Sequence, residues 1–546
     1  MSPTRSANAR RQFGMMDLLA SSSIFLIVSP LSGRSWACRL RIAGVLLFLA
    51  LVFPVSAQAQ DIPPKRELRA VWVATLANLD WPSSASLSPY RQQREFIHLL
   101  EKMQRVGMNA VMVQVRPAGD AFYPSALAPW SQYLTGKQGR PPEPFYDPLE
   151  FMIRECHARN IEFHAWFNPF RALSHKRLSS VAASNLLNFH ADWFFTYGDS
   201  KYFDPGHPAA RAHILKVILE VVRKYDVDGV HLDDYFYPYP RAGESLPDAR
   251  NWRVYGGEFS DKAEWRRSNV DAFISTLSDS IFLEKQWVKF GVSPFGVWRN
   301  QDQDPRGSAT IRALSGYDEL YADARKWLEL GWVDYLAPQL YWSIASRRAS
   351  YRGLLNWWTQ VPRDDHHLYI GHAAYLLQQT TSPKWASASE FIDQVDLCRN
   401  SSALGDIWFR ASTFMANASR ICDRLQDGFY RYPALPPEMP WLDSIPPNRP
   451  RSFDAYPTED GVFLQWRQPT PAHDLDVARY YLVYRFQGVE EPDFEDPRHI
   501  IGIVNEPEFT DLSAERGQRY LYAVTAVDRL HNESDRYVFQ WVELGE

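Results

Sequence analysis

Apolar and polar residues alternate in eight short stretches: Leu68–Thr75, Ala110–Arg116, Ile161–Asn168, Asp228–Asp234, Phe290–Phe295, Val333–Trp342, His367–Ala373 and Asp406–Ser412. Longer stretches with helical spacing separate them, among them Arg91–Arg105, Pro148–Arg159, Pro208–Tyr225, Asp261–Leu283, Asp318–Leu330 and Ser389–Arg399. A period of two puts alternate side chains on opposite faces of a strand, and a period near 3.6 gathers them on one helix face. Strands separated by helices run parallel, with the helices over their apolar side. Eight such units predict an α/β fold, a (β/α)₈ TIM barrel, over residues 60–430. A doubly wound open sheet is the alternative, but no Gly-rich phosphate loop follows the first strand.

Both flanks depart from this pattern. Arg39 to Arg41 form a short basic region, Ile42 to Val55 an apolar run, and Ala57-Gln58-Ala59 the small residues of a cleavage site. Residues 1–59 are therefore expected to be a leader and secretory signal, with Met15 or Met16 as possible starts. The run is short for a permanent span, and no Cys follows it, so no stable membrane anchor is expected after cleavage. Beyond the barrel, Pro433, Pro436, Pro437, Pro440, Pro446, Pro447 and Pro450 mark residues 431–450 as a semi-rigid linker. Alternating runs at Gly461–Trp466, Tyr480–Arg485 and Tyr520–Asp528 then predict a small all-β, immunoglobulin-like sandwich over 451–546.

Charge and composition narrow the chemistry. With 59 basic against 64 acidic residues, the chain offers no footprint for nucleic acid or anionic membrane. Of the four Cys, Cys38 lies in the leader, and Cys156, Cys398 and Cys422 are too few for a disulfide scaffold. Cys398 and Cys422 are open to pairing or to remaining buried thiols. The 20 Trp and 27 Tyr provide flat faces that stack on sugar rings or fill a large core.

Strand parity then sorts the polar side chains. Val230 and Leu232 face the helices, which turns His231 and Asp233 to the barrel interior, with Tyr235 following in an aromatic loop. By the same reasoning Gln114, Arg116, His164, Trp166, Asn168, Gln339 and Tyr341 point inward. Arg171 lies just past one strand, and Trp342 closes another. Such residues gather late in each strand, at the end where barrel enzymes carry their chemistry. Any one of them alone fits a satisfied core hydrogen bond equally well. Together they suit a pocket for hydroxyl- and amide-bearing rings. His164 and His231 lack an obvious third metal ligand, and no nucleophile elbow, P-loop or dinucleotide fingerprint is present, so no metal or cofactor is expected.

Several runs carry a more specific resemblance. They are Arg66–Thr75, Gln114–Pro124 with Asp120, His164–Arg171, Asp228–Pro240, Ser293–Asn300 with Arg299, and Ala337–Trp342. In this order they resemble the YngK/DigH-type glycosyl hydrolases, the glycoside hydrolase-like family 10, across the whole barrel. The run Tyr520-x-Tyr522-x-Val524-x-Ala526-Val527-Asp528 resembles fibronectin type III modules. The family resemblance implies an exported, periplasmic or secreted hydrolase of bacterial envelope glycans, with denuded peptidoglycan strands as its best-known substrate. Chitinases carry Asp-x-x-Asp-x-Asp-x-Glu at the corresponding strand, where this chain has Asp228, His231, Asp233 and Tyr235. A neutral phenol is a poor acid, so the general acid must be Asp234 or a loop residue such as Asp120, Glu244 or Glu258. Asp233 is expected to be the nucleophile or charge stabiliser, with Asp234 its partner. Gln114, Arg116, Asp120, His164, Asn168, Arg171, His231, Tyr235, Arg299, Gln339, Tyr341 and Trp342 are expected to bind substrate. A non-catalytic glycan-binding protein and a hydrolase of secreted exopolysaccharide are the competing readings. The sandwich is expected to add a second contact to insoluble glycan, or else to pack on the barrel's helices and cover apolar surface.

Overall fold

The computed structural model describes residues 62–174, 181–378, 382–488, 491–535 and 538–545; the expected leader lies outside them. The barrel strands are β1 (Leu68–Val73), β2 (Ala110–Arg116), β3 (Glu162–Phe167), β7 (Gly229–Leu232), β8 (Lys289–Val292), β9 (Tyr335–Leu336), β10 (His367–Leu368), β11 (Ile370–His372) and β12 (Gly405–Trp408). The short strands β4 (Arg171–Leu173), β5 (Phe194–Tyr197) and β6 (Ser200–Phe203) form a small antiparallel sheet inserted after β3. Every barrel pairing is parallel, in the order β10-β9-β8-β7-β3-β2-β1-β12-β11. The stretch Ile370–His372 follows His367–Leu368 after one residue, and these halves pair with β12 and β9, which closes the ring. The expected α/β barrel is therefore the observed one.

Helices cover the outside. In α1 (Pro89–Val106), Phe96, Leu99, Leu100 and Met103 recur at helical spacing and are buried, with Pro89 in the first turn and left-handed Gly107 at the C-cap. Asp147 accepts backbone N–H bonds from Leu149 and Glu150 to start α2 (Pro148–His157). α3 (Pro208–Lys224) and α4 (Lys262–Glu284) flank β7, as the spacing predicts. Phe163, Ala165 and Phe167 join this helix-facing core, while Trp72, Met112, Trp166 and Tyr335 fill the interior. No described helix is long and apolar enough to cross a membrane.

After the barrel come two antiparallel sheets. One contains β13 (Arg451–Pro457), β14 (Val462–Arg467) and β17 (Glu508–Asp511), the other β15 (Tyr480–Gln487), β16 (Ile500–Val504), β18 (Arg519–Val527) and β19 (Phe539–Glu543). They share a core that includes Leu464, Trp466, Val483, Tyr522 and Val524. This β unit packs against the N-terminal ends of the barrel strands. Lys65 pairs with buried Glu533, Arg479 and Arg529 bind Asp226 at 3.1 and 2.6 Å, and His531 reaches Glu162 at 2.6 Å. The Pro-rich segment is bound as well. Leu435 exchanges backbone hydrogen bonds with Lys65 and Glu67, Met439 is buried in the barrel core, and Trp441 donates to Asp334 at 2.9 Å. The segment expected to be a spacer is thus docked on the barrel, because it carries apolar residues between its prolines. Cys156, Cys398 and Cys422 are buried free thiols.

Candidate active site

A cavity of about 330 Å³ opens at the C-terminal ends of the barrel strands. Asp233 and Asp234 lie in its wall with Gln114, Trp166, Arg171, Tyr235, Ser293, Gln339 and Tyr341. Trp72, Tyr239, Tyr375 and Phe409, with aliphatic Leu79, complete a largely aromatic wall. A larger cavity of about 970 Å³ lies at the opposite end, between the barrel and the β unit. Among its charges Asp226 pairs with two arginines and Asp228 with His157; the smaller cavity is the one at the strand ends where barrel enzymes carry their chemistry, and it holds the Asp233–Asp234 pair.

β7 ends at Leu232, so Asp233 and Asp234 have left the ladder and both can turn into the cavity. Asp233 Oδ2 accepts from Asn168 Nδ2 at 2.9 Å and Trp166 Nε1 at 3.2 Å, and Oδ1 from the Tyr235 N–H at 3.3 Å. Burial raises its pKa to about 7, with the Asp234 charge adding to the rise and the Arg171 guanidinium opposing it. Asp234 accepts from the Tyr239 hydroxyl, and burial pushes its pKa up too, against the Tyr239 and Gln339 donors. Two adjacent carboxyls in one buried site do not both ionise readily. Burial raises Tyr235 to about 12, so its phenol stays protonated. The Arg171 guanidinium lies over the Tyr235 ring, 4.6 Å from its centroid, and donates to the Pro117 carbonyl at 3.2 Å.

The remaining expected residues lie elsewhere. His231 sits beneath Trp72 and accepts its indole N–H at 3.0 Å, and His164 lies deeper still, against Tyr335 and Glu162. Arg116 does not line the cavity. The β2–β3 register shifts between Gln114 and Arg116, which redirects the guanidinium under the Asn168 and Pro169 carbonyls at 3.3 and 3.2 Å. Asp120 is buried beside Gln138, Arg299 pairs with Asp318 and Asp304, and Trp342 packs edge-on against Phe295. Glu244 and Glu258 are exposed outside the cavity. Parity applied to the first and last strands would have found Trp72 and Phe409, which shares the interior side with Ile407; Leu79 in a loop and Tyr375 in a short 3-10 helix (Ala374–Gln378) give no strand signal.

Among the described residues, His372, Cys398 and Asp406 bring ligand atoms within 4.8 Å of one another, as do Asp443, Asp476 and Asp528. Both ring nitrogens of His372 are occupied, by Asp406 at 2.6 Å and Gln394 at 3.1 Å, and burial holds the Cys398 thiol protonated. Neither group lines the cavity.

Similarity to known proteins extends over most of the chain. The family profile described as glycosyl hydrolase-like 10 matches residues 67–387. Glycosyl hydrolase YngK of Bacillus subtilis is 44% identical, covering 88% of this chain and 94% of its own. Glycosyl hydrolase DigH of Escherichia coli is 41% identical, covering 63% of this chain and 82% of its own. The glycoside hydrolase domain of PgaB from Bordetella bronchiseptica, a solved structure, aligns with 66% of this chain and 98% of its own, at 14% identity and a TM-score of 0.42.

Proposed function

The chain belongs to the glycosyl hydrolase-like 10 family and is a glycoside hydrolase acting on glycan; from that premise we propose that it is exported and cleaves O-glycosidic bonds in denuded peptidoglycan strands. The observation that carries the reading is the Asp233–Asp234 pair at the mouth of an aromatic-walled cavity, with Asp233 titrating near 7. A carboxyl poised there is half protonated at neutral pH and suits proton exchange with the glycosidic oxygen. This shifts Asp233 from the role of nucleophile to that of general acid. As the C–O bond breaks, Asp233 gives its proton to the leaving oxygen and ionised Asp234 offsets positive charge developing on the sugar ring; water then adds to that carbon and its proton returns to Asp233. Tyr239 and Gln339 donate to Asp234 and support its carboxylate form. Trp72, Trp166, Tyr341 and Phe409 supply stacking faces, and Arg171 offers a charge-assisted bond to a lactyl carboxylate on the polymer.

The segment 1–59 serves as leader and signal in this reading, 60–430 as the catalytic barrel, and 431–450 as the connection to a fibronectin type III-like unit over 451–546. The three-plus-four arrangement of antiparallel strands supports that last assignment. The test is release of new reducing ends from denuded peptidoglycan, compared with chitin oligomers and a secreted exopolysaccharide. Wild type should prefer the first, and Asp233→Asn should lose about 10²–10⁴-fold of the rate. Full activity in that variant, or release from the exopolysaccharide alone, contradicts the proposal.

A further inference from the structure

A single file of hydrogen bonds runs along the inside of the barrel, away from the cavity. Trp72, in the cavity wall, donates its indole N–H to His231 Nε2 at 3.0 Å. His231 Nδ1 lies 3.0 Å from the Tyr335 hydroxyl, which lies 2.9 Å from His164 Nδ1. His164 Nε2 is 3.1 Å from Glu162 Oε2, while Glu162 Oε1 meets Lys289 and His531. His531 belongs to the β18–β19 loop of the C-terminal unit, and its Nδ1 is 2.8 Å from the Tyr480 hydroxyl.

With one proton on each imidazole, the two ends fix the direction of every bond between them. An indole N–H only donates, and an ionised carboxylate only accepts. His231 must therefore accept at Nε2 and carry its proton on Nδ1, donating to the Tyr335 oxygen. Tyr335 then donates to His164 Nδ1, so the His164 proton sits on Nε2 and goes to Glu162. The charge states agree with this order. Burial and neighbouring His164 hold His231 well below its ordinary pKa, leaving one ring proton. Burial alone would raise Glu162, but the Lys289 and His531 partners bring it well below the usual range. Burial keeps the Tyr335 phenol protonated. Two glycines make room for the rings. A Cβ on Gly229 would stand 2.4 Å from His164 Nδ1, and one on Gly291 would stand 2.0 Å from Tyr335 Cζ.

We propose that His231, Tyr335 and His164 are positioning residues that hold the Trp72 indole in the cavity wall through this one-way chain, and that His531 of the C-terminal unit anchors its far end. The effect on turnover rests on the cavity being the catalytic one; the direction of the chain does not. Both are tested on the full chain. Nitrogen NMR of ¹⁵N-histidine-labelled protein should find His231 protonated on Nδ1 and His164 on Nε2, each assigned by its loss in a single His variant. Tyr335→Phe and His531→Ala should each lower kcat on the order of tenfold, with smaller changes in KM. The double variant should lose no more than the worse single one, because both cut the same chain. His531→Gln, whose amide still donates to Glu162, should recover most of the His531→Ala loss. If Tyr335→Phe does not fold, the His531 pair decides alone. A His231 ring protonated on Nε2, losses that multiply, or wild-type kcat in His531→Ala overturns the proposal. Correct tautomers in an enzyme that cleaves no glycan remove the positioning role together with the cavity reading, and leave only the chain.

Discussion

In the proposed mechanism Asp233 trades stability for chemistry. An Asp whose pKa rises from 3.8 to about 7 on folding binds more protons folded than unfolded between those values. Stability therefore falls as pH rises through that window, by up to roughly 4 kcal/mol at about 1.4 kcal/mol per unit. Asp233→Asn removes the charge and the cost, so its melting temperature should exceed that of wild type at about pH 8 and lie close to it at about pH 4. Equal differences at both would assign the group an ordinary pKa. The same carboxyl should set the upper limb of kcat/KM, which falls as pH passes about 7 and the acid loses its proton. Arg171 pulls that pKa down, so Arg171→Met should move the limb to higher pH as well as raise KM. An unmoved limb would place the guanidinium too far from Asp233 to matter.

At the level of elements, most of the barrel was legible because a parallel strand covered by helices has only two faces. Parity placed Gln114, Trp166, Gln339 and Tyr341 correctly, and Gln114 is seen to tie down the backbone of Thr75 and Leu76 at 3.1 and 3.0 Å. It failed at Arg116, where a register shift breaks the period, and past strand ends, where Asp120 obeys none. The Pro-rich segment read as a spacer because its prolines are local signals, whereas the docking of Leu435, Met439 and Trp441 depends on distant partners. A chain ending at Tyr432 loses these contacts and leaves Glu162 without His531. Glu162 keeps Lys289 and His164, so the lost donor costs about 1.5–3 kcal/mol, to which the lost burial of Leu435, Met439 and Trp441 adds. The truncated protein should melt lower by about 10 °C or more, and its activity on short fragments and on whole sacculi should fall together. Unchanged melting with loss on sacculi alone would instead make the β unit a separate glycan contact.

Across the whole molecule, the cavity and the β unit occupy opposite ends of the barrel. The cavity mouth is thus left open for a polymer, while the other end is closed by the β unit and linked inward through His531. Hydrolysis at Asp233 and Asp234 predicts that each cut takes one oxygen from water. The most direct test is mass spectrometry of the soluble products released from denuded sacculi in heavy-oxygen water. Wild type should release fragments carrying one heavy oxygen at the new reducing end, and Asp233→Asn should release almost none. Glycan strands held by the protein with no fragments released, or fragments without the heavy oxygen, would contradict hydrolysis of this polymer.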